Sequence, residues 1–412
     1  MRIERIRKEI TKKGARVVAD VAWEEHAAPP DSLVIETSDQ FATDFQPSPD
    51  AFLLALFPIA QWRGEKRILV EGSICCRLRD GLSAASELFA IWHPHCRPIE
   101  MEPTAGFAPT VPRTSRRAAS FMSGGIDALS MLRSNQLDYA PSHPASIRDC
   151  LLLHGVHVHD HDANGISADW LARFDAYRER MEIFARDAGV TLIPVYTNIR
   201  TLYPTPSSWS GIGYGAGLIS IAHCFSSRID RIKIASVGIG MRAMAHGSQP
   251  WLDHHFSTDA VSVDHEQAAM TRFEKTRVVS DWPEAMSILR PCFGSAVAEG
   301  AINCGRCEKC VRTMLALVAL KKLDRAPTFP FDNVTAEMLA PVWIDDPFSL
   351  IYHLQCVDAL TARGRLDLVE LILRKRDAYR HWQRRQKILA AARRALGLGR
   401  GSSLQQHSQP KR

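Results

Sequence analysis

The residues best suited to do chemistry lie in a short turn between Ser123 and Asp127, where two glycines separate a hydroxyl from a carboxylate. Residues 118–122 before the turn are apolar enough for a buried strand, and a helical apolar period follows it. Glycines let the backbone approach a ligand closely, and a helix N-terminus presents unbonded N–H groups to an anion. The turn is therefore predicted to bind phosphate, with Asp127 as a ligand of the Mg²⁺ that accompanies nucleotide phosphates. The predicted loop comprises Ser123, Gly124, Gly125, Ile126 and Asp127.

Four cysteines form a second group that could do chemistry. Cys304, Cys307 and Cys310 follow one another at intervals of two residues, and Cys292 precedes them with eleven residues between. Four thiolates in this pattern are typical of a tetrahedral structural zinc site, and the glycine after Cys304 permits a tight turn. An iron–sulfur cluster also uses four thiolates, and ordinary buried cysteines are the remaining alternative. We predict that the four cysteines bind one Zn²⁺.

A histidine-rich segment runs from His154 to Asp162. A strand predicted over residues 150–158 would point His157, His159 and His161 to one side, as a metal site requires. The alternatives are contact with a nucleotide or substrate where the strand ends, and solvated histidines. We favour contact with a nucleotide or substrate.

The glycine turn resembles the PP-loop of the N-type ATP pyrophosphatases, whose fingerprint is Ser-Gly-Gly-x-Asp-Ser. Residues 123–127 match five of its six positions, and Ala128 stands where the fingerprint has its last serine. The resemblance implies ATP and Mg²⁺ as ligands and cleavage of ATP to AMP and pyrophosphate. The residues that it implies are Ser123 and Asp127 for catalysis, with His154 and Val156 in contact with adenine.

The cysteine group is similar to the zinc site of the 7-cyano-7-deazaguanine synthases, which combine a PP-loop with the pattern C-x₇₋₈-C-x₂-C-x₂-C. The first interval is longer here, and the two motifs together bracket positions 123–310, roughly half of the chain. Residues 1–110 and the C-terminal part of the chain have no counterpart in this resemblance. It implies a PP-loop enzyme that carries a structural zinc.

Strands and helices alternate from Ala118 onward, which predicts a parallel sheet with helices on both faces, an α/β fold of the HUP-like or Rossmann-like kind. Ligands of such sheets bind beyond the carboxyl ends of the strands, so the candidate segments fall on one edge. The predicted strands are 118–122, 150–158, 191–199 and 231–238, and the predicted helices are 127–135, 168–188 and about 213–227.

The rest of the chain is less regular. Its first part mixes strand-like and helical segments, which predicts a small α+β N-terminal domain, and a helical C-terminal extension follows the cysteines. The predicted units are 1–110 (accessory domain), 116–322 (ATP-binding domain with the zinc site), 323–396 (helical extension) and 397–412 (disordered tail).

Two further segments bear on nucleotide binding. Residues 211–216 fit the dinucleotide pattern G-x-G-x-x-A, but no strand precedes them, so a glycine-rich helix start is the favoured interpretation. The sequence contains no Walker A motif. Arg272 and Lys275 share one face of a predicted helix, either as a solvated face or as phosphate contacts.

At 412 residues, with 46% hydrophobic and 23% charged residues, the chain has the composition of a soluble globular protein. No apolar run approaches the ~20 residues that a membrane helix needs. The charged N-terminus is unlike a secretory signal, and the clustered cysteines are unlike a disulfide framework. The predicted location is the cytoplasm, without membrane contact.

Positive charge is concentrated at the C-terminal end. Residues 373–412 contain twelve lysines and arginines against Asp377, a balance of +11, so the rest of the chain carries −5 of the net +6. Tyr379 and Trp382 lie among these charges. Such a helix predicts contact with tRNA or another acidic surface, the alternative being a solvated or packed helix.

Together these features predict ATP-dependent adenylation of a small-molecule carboxylate or carbonyl, followed by C–N bond formation. The source of the nucleophile, ammonia or a sulfur donor, stays open, because Cys150 and Cys224 lie in apolar surroundings typical of core positions. Two alternatives remain. One is a tRNA-modifying enzyme that uses the same chemistry for thiolation or amidation. The other is a non-catalytic nucleotide-binding module in which Ala128 marks the loss of activity.

Overall fold

The computed structural model of the protein describes residues 1–26, 31–110, 117–162, 165–238, 245–292, 301–344 and 346–395. Its strands are β1 (Arg2–Thr11), β2 (Gly14–Ala22), β3 (Asp31–Ser38), β4 (Arg67–Val70), β5 (Glu100–Pro103), β6 (Ala118–Phe121), β7 (Ile147–His154), β8 (His161–Asp162), β9 (Gly165–Ile166), β10 (Thr191–Thr197), β11 (Arg231–Ala235) and β12 (Ser262–Glu266). Its helices are α1 (Pro49–Arg63), α2 (Cys76–Trp92), α3 (Ile126–Asp138), α4 (Ala168–Asp187), α5 (Pro206–Ser208), α6 (Tyr214–His223), α7 (Arg272–Ser280), α8 (Pro283–Met286), α9 (Glu308–Leu320), α10 (Ala336–Leu339), α11 (Pro347–Leu354), α12 (Val357–Thr361) and α13 (Leu366–Ala395). The predicted tail 397–412 lies outside the described residues.

Within the described residues, ten strands form one sheet in the order β12-β11-β6-β7-β10-β3-β2-β1-β4-β5. Neighbouring strands run parallel except in the pairs β1–β2, β2–β3 and β3–β10. The prediction of an α/β fold built on a large, mostly parallel sheet is therefore confirmed.

The five strands β10-β7-β6-β11-β12 form a parallel block. The side on which successive strands are added changes in the middle of this block. The chain starts at β6, adds β7 and β10 on one side, and then crosses to add β11 and β12 on the other. Doubly wound sheets bind ligands at the carboxyl edge beside such a change in strand order.

The N-terminal part of the chain continues the same sheet. β3 pairs antiparallel with β10, with Val195 opposite Thr37 and Thr197 opposite Ile35. α1 is buried along most of its length; Ser48 caps its start and Gly64, in the left-handed conformation, ends it. Because α1 and α6 share one hydrophobic core, this part of the chain supports the parallel block both by strand pairing and by packing.

Two hydrophobic cores lie on opposite faces of the sheet. Neighbouring residues of β7 alternate between them: Leu151 packs with α1 and α6, whereas Cys150 and Leu152 pack with α3, α4 and α9. This alternation is the two-residue period of a strand buried on both faces. Across the described residues, no helix combines the length and the apolar character that crossing a membrane requires.

The predicted strands begin at or near the right residues, but some end too late. β7 ends at His154 and β11 at Ala235, earlier than the predicted ends at residues 158 and 238. β12 was not predicted at all, because Ser262–Glu266 is a short edge strand of mixed polarity without a strong apolar period.

Candidate active site

The candidate loop lies between β6 and α3, at the carboxyl end of β6. β6 ends at Phe121, and α3 begins at Ile126 with Gly125 as its N-cap residue. Gly125 has no side chain with which to cap the helix, and its own N–H donates to Ser123 Oγ over 3.3 Å. The N-cap residue therefore leaves the first-turn N–H groups and the positive end of the helix dipole available to an anion.

Packing alone requires a glycine at position 124, whether or not a phosphate binds. Its φ of +74° favours glycine, and a Cβ at this position would lie 1.7 Å from the hydroxyl oxygen of Tyr177. That hydroxyl donates to Ile288 O over 2.8 Å, and the N–H of Arg290 donates to Gly124 O over 2.8 Å. A substitution of Gly124 would therefore strain the loop even in the absence of phosphate.

Asp127 is paired with two cations of α7. Its carboxylate accepts from Arg272 Nη1 at 2.5 Å and lies 3.4 Å from Lys275 Nζ, which also donates to Ser236 O at the end of β11. Burial pushes the pKa of Asp127 upward, but the charges of Arg272 and Lys275 outweigh it and hold that pKa below its usual value. Lys275 is fully buried, so this pair is part of the site and not a solvated helix face.

Further positive charge surrounds this pair. The guanidinium carbons of Arg272 and Arg312 lie 5.1 and 4.7 Å from the centre of the Tyr352 ring. Burial, followed by the charges of Arg312 and Arg272, lowers the pKa of Lys309 to about 8. The cations of this region are Arg272, Lys275, Lys309 and Arg312, and the neighbouring carboxylates are Asp127 and Glu308. The excess of positive charge suits a polyanion, and the sequence did not predict the part played by α9.

A small pocket of about 40 Å³ adjoins the loop on the β7 side. Aromatic and histidine rings form much of its wall, and Ser123 is the loop residue that borders it. The lining residues are Ser123, Leu152, Leu153, His154, His157, His159, Asp160, Trp170, Phe174 and Arg290.

The histidine segment forms a turn instead of continuing the strand. Asp160 Oδ2 accepts from the N–H groups of Gly155 and His157, each at 2.9 Å, and these bonds curl the chain after His154. The prediction that alternate histidines share one side of a strand is therefore wrong. The rings of His157 and His159 stack instead at 5.3 Å. Burial lowers the pKa of both histidines, that of His157 to about 3, so both are neutral at physiological pH.

His154 is the member of this segment best placed to bind a ligand. It is 2% exposed, and its Nε2 has no hydrogen-bond partner within the described residues although it lines the cavity. Its ring lies 5.0 Å from that of Phe174. Burial lowers the pKa of His154, so a neutral ring offers one hydrogen-bonding atom beside an aromatic wall.

Two predicted site residues direct their side chains into the cores and away from this cavity. Ile126 is 1% exposed and packs in the core that contains α4 and α9. Val156 is 5% exposed and packs in the opposite core with α1 and α6. Only the backbone groups of these two residues are suited to contact a ligand.

The four predicted cysteine ligands come together. Their sulfur atoms all lie within 4.8 Å of one another, with 3.9 Å from Cys292 to Cys307 and 3.8 Å from Cys304 to Cys310. Sulfur atoms about 2.3 Å from a tetrahedral zinc are about 3.8 Å apart, so the spacing fits that ion. Gly305, at φ +69°, makes the turn between the ligands. The prediction that these cysteines lie close enough to hold a metal ion is confirmed.

The cysteine cluster is joined to the loop by short covalent paths. Cys292 follows closely after Arg290, whose N–H donates to Gly124 O. Cys307 is the N-cap residue of α9, and Cys310 lies in the first turn of this helix, ahead of Arg312. The segment after Gly124's partner Arg290 thus links the glycine turn to Cys292, and α9 links Cys307 and Cys310 to Arg312, which lies beside Arg272.

The glycines of residues 211–216 are explained by packing. A Cβ on Gly213 would lie 2.1 Å from the Tyr203 ring, and one on Gly215 would lie 2.4 Å from Gly247 O. The segment before α6 is π-helical, from Trp209 to Gly213, and does not leave a strand. The dinucleotide pattern therefore reflects the close approach of α6 to the residues around Gly247.

We compared the chain with protein-family models, with curated proteins and with solved structures, and none of the three searches found a match.

Proposed function

We propose that this chain is an ATP-dependent, AMP-forming enzyme that adenylates a small-molecule carboxylate or carbonyl and prepares it for C–N bond formation. The observation that carries this proposal is the position of residues 123–127 at the carboxyl end of β6, where the strand order of the parallel block reverses, with Asp127 held by Arg272 and Lys275. An uncapped helix start and an excess of cations suit the triphosphate of a nucleotide.

In this proposal the loop N–H groups and the Ser123 hydroxyl donate to phosphate oxygens, and Arg272 and Lys275 neutralise the pyrophosphate that leaves. A substrate oxygen attacks the α-phosphorus, the bond to the bridging oxygen of the β-phosphate breaks, and AMP becomes attached to the substrate. A nitrogen nucleophile then displaces AMP.

The Asp127 carboxylate is a hard oxygen donor, the kind of ligand that Mg²⁺ prefers. When the phosphates bind, they compete with this carboxylate for Arg272 and Lys275. When bound, Mg²⁺ neutralises the charge that develops on pyrophosphate. We place the adenosine beside Ser123, in a pocket that has to widen to admit it, with Phe174 and Trp170 packed against the base and His154 Nε2 forming a hydrogen bond. We assign zinc to the four cysteines as a structural ion, because four thiolates leave no ligand position for a water.

The test is calorimetric titration with MgATP, followed by a pyrophosphate-release screen of small carboxylates with ammonia. We expect Asp127→Asn to weaken MgATP binding by at least tenfold, whereas Asp169→Asn, on the exposed face of α4, leaves it unchanged. Unchanged MgATP affinity in Asp127→Asn would refute the loop assignment. Gly124 is unsuitable for this test, because its substitution clashes with Tyr177.

A second candidate function, modification of tRNA by the same chemistry, is favoured by α13. Residues 380–392 of this helix are all exposed, and they include Arg380, Arg384, Arg385 and Lys387 without an acidic residue. Trp382 is exposed beside them for stacking on a base. Deletion of residues 380–412 should weaken tRNA binding at least tenfold and flatten its salt dependence. Equal tRNA binding by the truncated protein would exclude this candidate.

A further inference from the structure

A second polar cluster lies at the same sheet edge, one strand beyond β11, and has no part in the proposed nucleotide site. Its centre is Asp253, which is fully buried and accepts three hydrogen bonds. The donors are Ser248 Oγ at 2.7 Å, the N–H of Gln249 at 3.1 Å and His265 Nδ1 at 2.7 Å. Because a carboxylate can only accept, Nδ1 of His265 donates the hydrogen bond to Asp253, and Nε2 is left for another partner.

Three buried atoms of this cluster lack partners. Within the described residues, His265 Nε2 and both amide atoms of the Gln249 side chain form no hydrogen bond. Gln249 is 1% exposed and the His265 side chain 5%. Leaving such groups unpaired destabilises the fold, so we expect another molecule to complete their hydrogen bonds.

The cluster is tightly built and close to the nucleotide loop. A Cβ on Gly215 would lie 2.9 Å from Asp253 Oδ1, so the glycine at the start of α6 is what lets the carboxylate approach. Ser236 N donates to Glu266 O, next to His265, while Ser236 O accepts from Lys275, the partner of Asp127. Burial, with the charges of Asp127 and then Asp253, raises the pKa of Tyr214 to about 12, because its hydroxyl is near enough to both carboxylates to be affected by each.

We propose that Gln249 and His265, both anchored on Asp253, bind a small molecule through an adjacent donor and acceptor, the edge of a carboxamide or lactam. Gln249 offers one N–H donor and one carbonyl acceptor, which pair with an amide edge in both directions. The carboxylate of Asp253 already accepts three hydrogen bonds, and its negative charge would repel a phosphate, so a neutral molecule is favoured. In combination with the proposed function, on which this role rests, the bound molecule is the substrate that receives AMP.

The first measurement needs no substrate. Gln249→Met removes two unpaired polar atoms and keeps the side-chain volume, so it should raise the melting temperature of the ligand-free protein by about 2 °C. The matched control is Asn135→Leu, since the buried amide of Asn135 bonds Ala145 O at 2.9 Å and the N–H of Ile147 at 2.7 Å. That control should lower the melting temperature. A decrease for Gln249→Met as large as that of Asn135→Leu would overturn the proposal.

The second measurement is saturation-transfer NMR with nicotinamide and uracil at millimolar concentration, and benzoate as a probe without an amide edge. We expect transfer to the two amide probes, and its loss in Gln249→Met and in His265→Asn. The asparagine can still donate to Asp253 but lacks the equivalent of Nε2. Absence of transfer to both amide probes, or transfer that neither variant changes, would overturn the proposal. MgATP affinity should stay unchanged in both variants, so a failure here is distinguishable from a failure of the nucleotide site.

Discussion

Asp127, which is partly buried, and Asp253, which is fully buried, are two carboxylates at one edge of one sheet, and their partners differ in kind. Asp127 is held by two cations, Arg272 and Lys275, within a wider group of positive side chains. Asp253 is held by a hydroxyl, a backbone N–H and an imidazole. The first arrangement places lysine and arginine side chains around a carboxylate, and the second fixes hydrogen-bonding groups in position.

The difference suggests that the surroundings of Asp127 and those of Asp253 have different roles. A phosphate can displace Asp127 from its cations because both are anions, and the site then keeps its charge balance. Asp253 has no lysine or arginine among its three donors within the described residues, so a phosphate cannot replace it in the same way. This carboxylate therefore stays in place and orients Gln249 and His265. In the proposed function we therefore expect phosphate to bind at the Asp127 end of the edge and a neutral group of the substrate to be recognised at the Asp253 end.

The largest expected effect comes from the cysteine cluster. Loss of a structural zinc removes about 10 kcal/mol of folding free energy, so Cys307→Ser should lower the melting temperature strongly. Because the cluster supports Gly124 through Arg290 and Arg312 through α9, the surroundings of Asp127 should be disturbed first. Elemental analysis should find about one zinc per chain, and thermal unfolding with and without a chelator measures the effect.

A matched control for the cluster is Cys356→Ser, since Cys356 is buried in the same core but lies outside the cluster. It should retain the zinc. Less than about a tenth of an equivalent of zinc in the purified wild-type protein, without iron, would contradict the assignment of the four cysteines.

The next effect is expected at Arg272. Arg272→Met keeps the packing of the side chain but leaves the partly buried Asp127 with Lys275 as the remaining cation of the pair, which should lower the free energy of unfolding by about 3 kcal/mol. Urea denaturation measures this. Arg374→Met, which breaks an ion pair that is about two-thirds exposed on both sides, should show no measurable change and serves as control. Equal stability of the two variants would mean that the Asp127 pair does not stabilise the fold.

A smaller effect is expected at Asp253. Asp253→Asn keeps an oxygen acceptor but turns an amide N–H toward one of three donors, which should cost about 1–2 kcal/mol in urea denaturation. MgATP affinity should be unchanged, because the hydrogen-bond partners of Asp253 all lie outside the nucleotide loop. A joint loss of MgATP affinity would contradict the division of the edge into two sites.

The sequence predicted the features that depend on neighbouring residues. The glycine turn of residues 123–127 and the cysteine spacing are short-range patterns whose geometry follows from local backbone chemistry. The strand starts followed in the same way from apolar periodicity. The end of β7 did not, because the side chain of Asp160 captures the N–H groups of Gly155 and His157 and stops the strand.

Features that join distant parts of the chain were not predictable from such patterns. β3 and β10 pair although they lie far apart in the sequence, and nothing local in Thr37 or Val195 indicates that partner. Asp253 and His265 lie twelve positions apart in the sequence, and nothing local to either residue indicates that they form a hydrogen bond. A histidine at the end of an unrecognised edge strand gives no comparable signal in the sequence.

The smallest expected effect is a pH dependence of the unfolding free energy that distinguishes the wild-type protein from the Asp127→Asn variant. Its pKa in the folded protein is lowered by Arg272 and Lys275, against an unfolded value of about 3.9. The stabilisation is therefore complete above about pH 4 and is lost as the pH falls further through the folded pKa, because the protonated carboxyl no longer attracts the cations. A protonated aspartate resembles asparagine, so the difference in unfolding free energy between wild type and Asp127→Asn should be constant from pH 7 to about pH 5 and should shrink below about pH 4. Urea denaturation at a series of pH values measures it, and a difference that stays constant down to pH 3 would show that the two cations do not act on this carboxylate.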